Sequence, residues 1–169
     1  MKTGLFAGSF DPFTIGHMSV VKRALPLFDR LIIGIGVNEH KQCMMTPLER
    51  KEAIERLFED EEDVVVMTYS GLTADFARTM GAAYIVKGVR SVRDFEAERE
   101  QADINRMLTG VETILLPAEP GLDSVSSTVV RELSHFGKDV SSLLPRKGDL
   151  DDCAGGTNQH GHTQHIEIY

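Results

Sequence analysis

Short, continuously apolar runs punctuate this chain, and each is followed by a longer segment with helical spacing. The runs are residues 3–7 (TGLFA), 30–36 (RLIIGIG), 64–68 (VVVMT), 83–87 (AYIVK) and 113–116 (TILL). Strand-length segments that are apolar throughout, rather than at every second position, are those covered on both faces. Residues 17–27, 47–59, 72–80, 91–108 and 126–136 instead repeat apolar positions at the period of a helix. One helix start is well marked at 46–49 (TPLE), with a Thr cap, Pro at the first helical position and Glu three residues after the cap. Gly81 and Gly110 stand where helices would stop. Repeated strand–helix alternation predicts the α/β class: a single doubly wound domain with a five-stranded parallel sheet.

The length, 169 residues, fits one such Rossmann-like domain. With 41% apolar residues the chain is too hydrophobic to be disordered, and no apolar run approaches the roughly 18 residues of a membrane helix. The first residues are too few for a secretory h-region. Two cysteines, Cys43 and Cys153, make no disulfide framework. A cytoplasmic location is the expectation. The end of the chain differs in character: from residue 149 onward there is no Lys or Arg, and three of the six histidines cluster there. Residues 1–147 are therefore expected to form the domain and 148–169 a poorly ordered, polar, His-containing tail. Lys plus Arg total 18 against 26 acidic residues, a net charge of −8, which argues against nucleic acid or a membrane surface as partner. A small anionic ligand is still compatible, because a few cations suffice for a local positive pocket.

In an open parallel α/β sheet, ligands bind beyond the carboxyl ends of the strands. There the sequence places residues 8–17 (GSFDPFTIGH), then 38–41 (NEHK), then 87–90 (KGVR), and after the last strand 125–128 (VSST). Glycines, hydroxyls, a His and three cations are what a phosphorylated ligand requires: close backbone approach, N–H donors at helix starts, and positive charge. An isolated His at a helix start is ordinarily a surface residue, and an isolated Lys such as Lys41 is ordinarily solvated. Set in this loop, at the positive end of a helix dipole, His17 reads as functional. Two cations at a strand end, Lys87 and Arg90, flank Gly88 and are an unusual structural device. In 126–128 one hydroxyl serves as a helix cap, and the same helix end still binds an anion. Other patterns carry less. Gly34-Ile35-Gly36 lies inside a strand, and Glu39 stands where a dinucleotide fingerprint needs its third Gly. No P-loop pattern is present. His160, His162, His165 and Cys153 sit in the Gly-rich tail and read as incidental, not as a zinc site. Cys43 reads as an ordinary loop thiol, and no metal-ligating set is expected.

Residues 8–17 resemble the Gly-Ser/Thr-Phe-Asp-Pro-x-Thr-x-Gly-His signature of the nucleotidyltransferase superfamily. Residues 87–90 followed by Asp94-Phe95-Glu96, then Ala102-Asp103-Ile104-Asn105-Arg106 and 125–128, resemble the phosphopantetheine adenylyltransferase family, in order, over about residues 2–145. The resemblance implies adenylyl transfer from ATP to 4′-phosphopantetheine, giving dephospho-coenzyme A and pyrophosphate, with Mg²⁺, in a homohexamer. It implies that Ser9 contacts both substrates, that Phe10 lies against ATP and that His17 stabilises the transition state. Gly88, Val89, Arg90 and Glu98 would hold ATP, with Leu122, Asp123, Ser124, Val125, Ser126, Ser127 and Thr128 closing over it. Lys41, Thr73 and Lys87 would face the acceptor. A relative using a pyridine mononucleotide or another small phosphate acceptor shares the first motif, and a non-catalytic nucleotide-binding module is the alternative of another class. Two departures stand out. Lys87 replaces the family's usual Arg, a point charge for a planar fork. The usual C-terminal helix after Leu144-Pro145 is missing.

Overall fold

The structure, a computed structural model, describes residues 1–38, 40 and 42–150. In chain order it contains β1 (Thr3–Gly8), α1 (Ile15–Ala24), β2 (Arg30–Val37), α2 (Pro47–Leu57), β3 (Val64–Ser70), α3 (Thr73–Thr79), β4 (Tyr84–Val89), α4 (Val92–Thr109), β5 (Glu112–Pro117) and α5 (Ser127–His135). The strands form one five-stranded sheet in the order β3-β2-β1-β4-β5, with every neighbouring pair parallel. The chain winds outward from β1 through β2 to β3, then crosses back to the other side of β1 for β4 and β5. Between β1 and β4 the winding reverses, so the loops leaving these two strands diverge and open a crevice. The β1–β4 ladder ends at Phe6↔Val86, while the strands themselves continue to Gly8 and Val89.

Successive residues of the inner strands feed opposite faces. Phe6, Leu31, Ile33, Ile35 and Val86 join Met18, Val21 and Ala24 of α1 and Ile54 of α2 in one core. Leu5, Ala7, Ile32 and Ile85 join Ala77 on α3 in the other. That is the double covering which continuous apolar runs predict. The edges differ: β5 has no fully buried residue and β3 only Val66, because an edge strand has a neighbour on one side alone.

The local signals act as their chemistry requires. Thr46 and Glu49 form a reciprocal capping box on α2, with Pro47 in the first turn. Ser91 caps α4, and Gly110 ends it at φ 76°, a left-handed conformation that favours glycine. α1 begins at Ile15, two residues before the expected start, because Thr14 supplies its cap. Pro26 tightens its end into a 3₁₀ turn over Leu25–Leu27.

Gly34 in β2 faces the stacked rings of Tyr69 and Phe76, whose centroids lie 4.4 Å apart. A Cβ at Gly34 would meet Leu5 at 2.9 Å and both rings at 3.2 Å. Gly34→Ala is expected to destabilise by about 1–3 kcal/mol through overpacking. Urea unfolding should show this as a lower midpoint at unchanged slope.

The folded contacts run slightly beyond the expected tail boundary. Lys147 pairs with Glu59 and, at 2.9 Å, with Asp60. Arg146 N–H donates to the Asp149 carboxylate at 2.7 Å, and Leu150 packs against the core shared by α1 and α2. Residues 151–169, with Cys153, His160, His162 and His165, lie outside the described residues. Among the described residues no helix is long and apolar enough to cross a membrane.

Candidate active site

The crevice at the switch point is built around the loop between β1 and α1. Thr14 N–H donates to His17 Nδ1 at 3.0 Å, and His17 N–H points back to Thr14 Oγ1 at 3.4 Å, so His17 takes the place of the acid in a capping box. A peptide N–H can only donate. Nδ1 must therefore be the bare nitrogen, and in the neutral ring the proton sits on Nε2. The imidazole packs among Phe6, Phe10 and Phe13, at ring-centroid distances of 6.1, 5.0 and 5.2 Å. Burial first, and the nearby Arg90 charge second, lower its pKa to about 4. His17 is thus a neutral donor at pH 7, fixed in one tautomer.

The folded state resists protonation of His17 until pH falls to about 4, whereas the unfolded imidazole protonates near 6.5. Its contribution is complete above about pH 6.5 and lost as pH falls towards 4, by on the order of 3 kcal/mol. Melting temperatures from pH 7.5 to 4 should decline less steeply in His17→Gln than in the wild-type chain.

Side chains from distant elements take up the loop's carbonyls. Arg50 Nη1 of α2 donates to Ser9 O at 2.6 Å, Arg131 Nη1 of α5 to Asp11 O at 2.6 Å, and Ser127 Oγ to Pro12 O at 2.7 Å. The N–H groups of Ser9 and Phe10 have no acceptor among the described residues. Phe10 holds φ 48°, a left-handed conformation that costs about 1–3 kcal/mol for a side chain this large. Its buried ring folds back over Gly8, where a Cβ would meet ring atoms at 2.9 Å. Packing thus enforces a turn with unpaired backbone donors, which suits an anion. Phe10 is 2% exposed as a whole residue, so its ring packs in the core and presents no face for a ligand to stack on.

A cavity of roughly 290 Å³ opens on these groups. Of the residues anticipated from sequence it brings together Ser9, Phe10, His17, Lys87, Gly88, Val89, Arg90, Glu98, Leu122, Val125, Ser126, Ser127 and Thr128. Asp123 and Ser124 belong to the same loop but are not in the lining. Thr73 also stays outside: it opens α3, and its hydroxyl shares a 2.7 Å hydrogen bond with Tyr69. Lys41 lies outside the described residues.

Three charged or hydroxyl-bearing lining residues have no mark in the sequence reading, Ser19, Glu119 and Arg131, and Asp94 stands there only as part of a motif, with no role. Arg131 had a legible trace, four positions after Ser127 on one helix face. Lys87 stands 3.6 Å from Glu98, and Arg90 Nε 2.9 Å from Asp94. Arg131 makes no carboxylate pair among the described residues, bonding instead to Asp11 O and, at 3.2 Å, to Thr128 Oγ1. Of the hydroxyls at 126–128, Ser127 donates its proton to Pro12 O, whereas Ser126 and Thr128 accept, from Val129 N–H and Arg131 Nη2, and keep an O–H to donate. The α5 end therefore meets an anion with backbone N–H groups, its dipole and these two hydroxyls.

A parallel sheet with a His-bearing phosphate loop at its switch point and cations from β4 and α5 defines a cytidylyltransferase-like nucleotidyltransferase, and that family's model matches residues 5–133. The phosphopantetheine adenylyltransferase of Phocaeicola vulgatus is 55% identical over 151 residues, 89% of this chain and 100% of its own. Those of Bacteroides thetaiotaomicron and Porphyromonas gingivalis are 52% and 50% identical, covering 89% and 87% of this chain and 100% and 96% of theirs. The chain belongs to the phosphopantetheine adenylyltransferase family. A bifunctional NMN adenylyltransferase/ADP ribose pyrophosphatase from Francisella tularensis shares the fold, at TM-score 0.66 and 17% identity. The match covers 90% of this chain and 48% of that one.

Proposed function

We propose that the protein transfers the adenylyl group of ATP to 4′-phosphopantetheine, forming dephospho-coenzyme A and releasing pyrophosphate. The observation that carries the mechanism is one cavity holding a neutral, tautomer-locked imidazole, unpaired loop N–H groups and the cations Lys87, Arg90 and Arg131. The acceptor phosphate has a second pKa near 6 and is largely a dianion at pH 7, so it attacks the α-phosphorus without a general base. The barrier lies in bringing two anions together and in the charge that grows on the α-phosphoryl oxygens. Positioning and electrostatic stabilisation supply both.

In this scheme His17 Nε2–H and the Ser9 and Phe10 N–H groups donate to the α-phosphate. Arg90, Arg131 and the α5 end receive the β- and γ-phosphates. Lys87 reaches the acceptor phosphate together with Lys41, where resemblance places them, and Thr73 belongs to that acceptor side. Two of the three cavity cations, Lys87 and Arg90, start out paired with α4 carboxylates, so an incoming phosphate replaces a counter-ion already in place.

Mg²⁺ fits this donor set as an ion carried in on phosphate. No group of three or more His, Cys, Asp or Glu gathers among the described residues, and Mg²⁺ commonly takes one or two carboxylates plus phosphate and water. Asp94 and Glu98 are the carboxylates that would hold it, and it would neutralise charge on the phosphate oxygens. The reading extends to a cytoplasmic homohexamer. The apolar side chains of Val92, Phe95, Ile104, Met107 and Leu108, exposed along α4, support a contact between copies, and the number six comes from the resemblance.

The deciding experiment is pyrophosphate release with ATP over a panel of phosphorylated acceptors. Release is expected with 4′-phosphopantetheine and not with nicotinamide mononucleotide. The reverse preference would overturn the substrate assignment, and binding of ATP without turnover of any acceptor would overturn the enzymatic reading.

A further inference from the structure

No residue of β2, α2 or β3 lines the cavity; its walls come from β1, α1, β4, α4, α5 and the loops beside them. In-line displacement puts the attacking oxygen and the departing pyrophosphate on opposite sides of the α-phosphorus. With Arg90, Arg131 and the α5 end taking the β- and γ-phosphates, the acceptor phosphate approaches between Lys87 and the β2 side of Gly8. There the segment leading into α2 faces the signature loop, and one side chain of that loop bonds directly to the segment's peptide groups.

That side chain is Asp11. It is fully buried, and its two carboxylate oxygens divide between two consecutive peptide groups: Oδ2 accepts from Met44 N–H at 2.8 Å and Oδ1 from Met45 N–H at 2.9 Å. The next residue, Thr46, caps α2. Arg50, one turn further on, closes the connection from the other side by donating to Ser9 O. Charge-assisted bonds in such a dry setting are strong, and their paired geometry allows one placement of the incoming segment. Asp11 does not itself line the cavity.

We infer that Asp11 is a positioning residue for the acceptor half of the site: it fixes the segment entering α2 against the phosphate loop, and so sets the line along which the acceptor phosphate approaches. The inference rests on the adenylyl-transfer reading, and it separates the two substrates, because the Asp11 carboxylate bonds to the segment entering α2, whereas the cations that take the β- and γ-phosphates are held by Asp94, Thr128 and the Asp11 backbone carbonyl.

The test is steady-state kinetics of Asp11→Asn with each substrate varied in turn. An amide oxygen accepts as before, but an amide NH₂ facing a peptide N–H cannot. The KM for 4′-phosphopantetheine should rise about tenfold or more, with the KM for ATP within about twofold of wild type. Met44→Pro removes one donor from the exposed end of the same connection, leaving Asp11 in place with a single peptide partner, Met45 N–H, and should split the two constants in the same direction. It carries the test if Asp11→Asn does not fold. Unchanged acceptor KM, or two constants rising together, in the folded variant overturns the inference. Wild-type protein that makes no pyrophosphate from this acceptor overturns the functional reading and the inference with it, whereas an active wild type with an unsplit variant overturns the inference alone.

Discussion

His17→Ala is expected to lower kcat by about 100- to 1000-fold while leaving the KM for ATP within about twofold. The imidazole is neutral, holds its proton on Nε2, and meets the oxygen charge that grows in the transition state. Removing it should therefore cost stabilisation realised at the barrier and little of the ground-state affinity, which the arginines and helix ends supply. His17→Gln retains an N–H donor on a side chain of similar reach and should recover part of the loss. Because the His17 pKa lies at about 4, kcat should show no titration of this group between pH 6 and 8. A kcat near wild type in His17→Ala, or a profile in which a protonated imidazole is required, would remove His17 from its role.

The second large effect concerns a residue that touches no ligand. Arg50 is 2% exposed and bonds to two backbone carbonyls, Ser9 O at 2.6 Å and Thr46 O at 3.4 Å. It makes no carboxylate pair among the described residues. Arg50→Ala takes the side-chain donor from Ser9 O, while Thr46 O keeps the backbone N–H of residue 50 at 3.1 Å, and opens a void beneath the phosphate loop. The expected loss is about 2–4 kcal/mol, a melting temperature lower by about 5–15 °C. Arg50→Met fills the space without the bonds and separates the two causes. If burial of the guanidinium were the dominant cost, Met would match or exceed wild-type stability. If the clamp on Ser9 dominates, Met will be destabilised almost as much as Ala.

These two residues also show where reading the sequence succeeds and where it stops. His17 was legible because everything that marks it is local: a strand exit, a Gly-Ser pair, a Thr cap and a helix start lie within ten positions. The five strands were legible for a similar reason, since an apolar run carries its own burial requirement; only the half-exposed edges β3 and β5 departed from it. Arg50, Arg131 and Asp11 act on partners 41, 120 and 33–34 residues away, and no spacing rule connects them. The motif showed Asp11 as a letter, not as the residue that holds Met44 and Met45. Lys87 with Glu98 lay in between. Both residues were singled out, one expected for each substrate, and the fold brings them within 3.6 Å of each other on one wall of the cavity.

The central claim is that convergent donors let one anion attack another directly, with no enzyme-bound adenylyl group in between. The stereochemical course at the α-phosphorus tests it most directly, using a single diastereomer of ATP with sulfur replacing one non-bridging α-oxygen. One in-line displacement predicts inverted configuration in the dephospho-coenzyme A thiophosphate product. Retention would mean two displacements through a covalent intermediate, and would contradict the account.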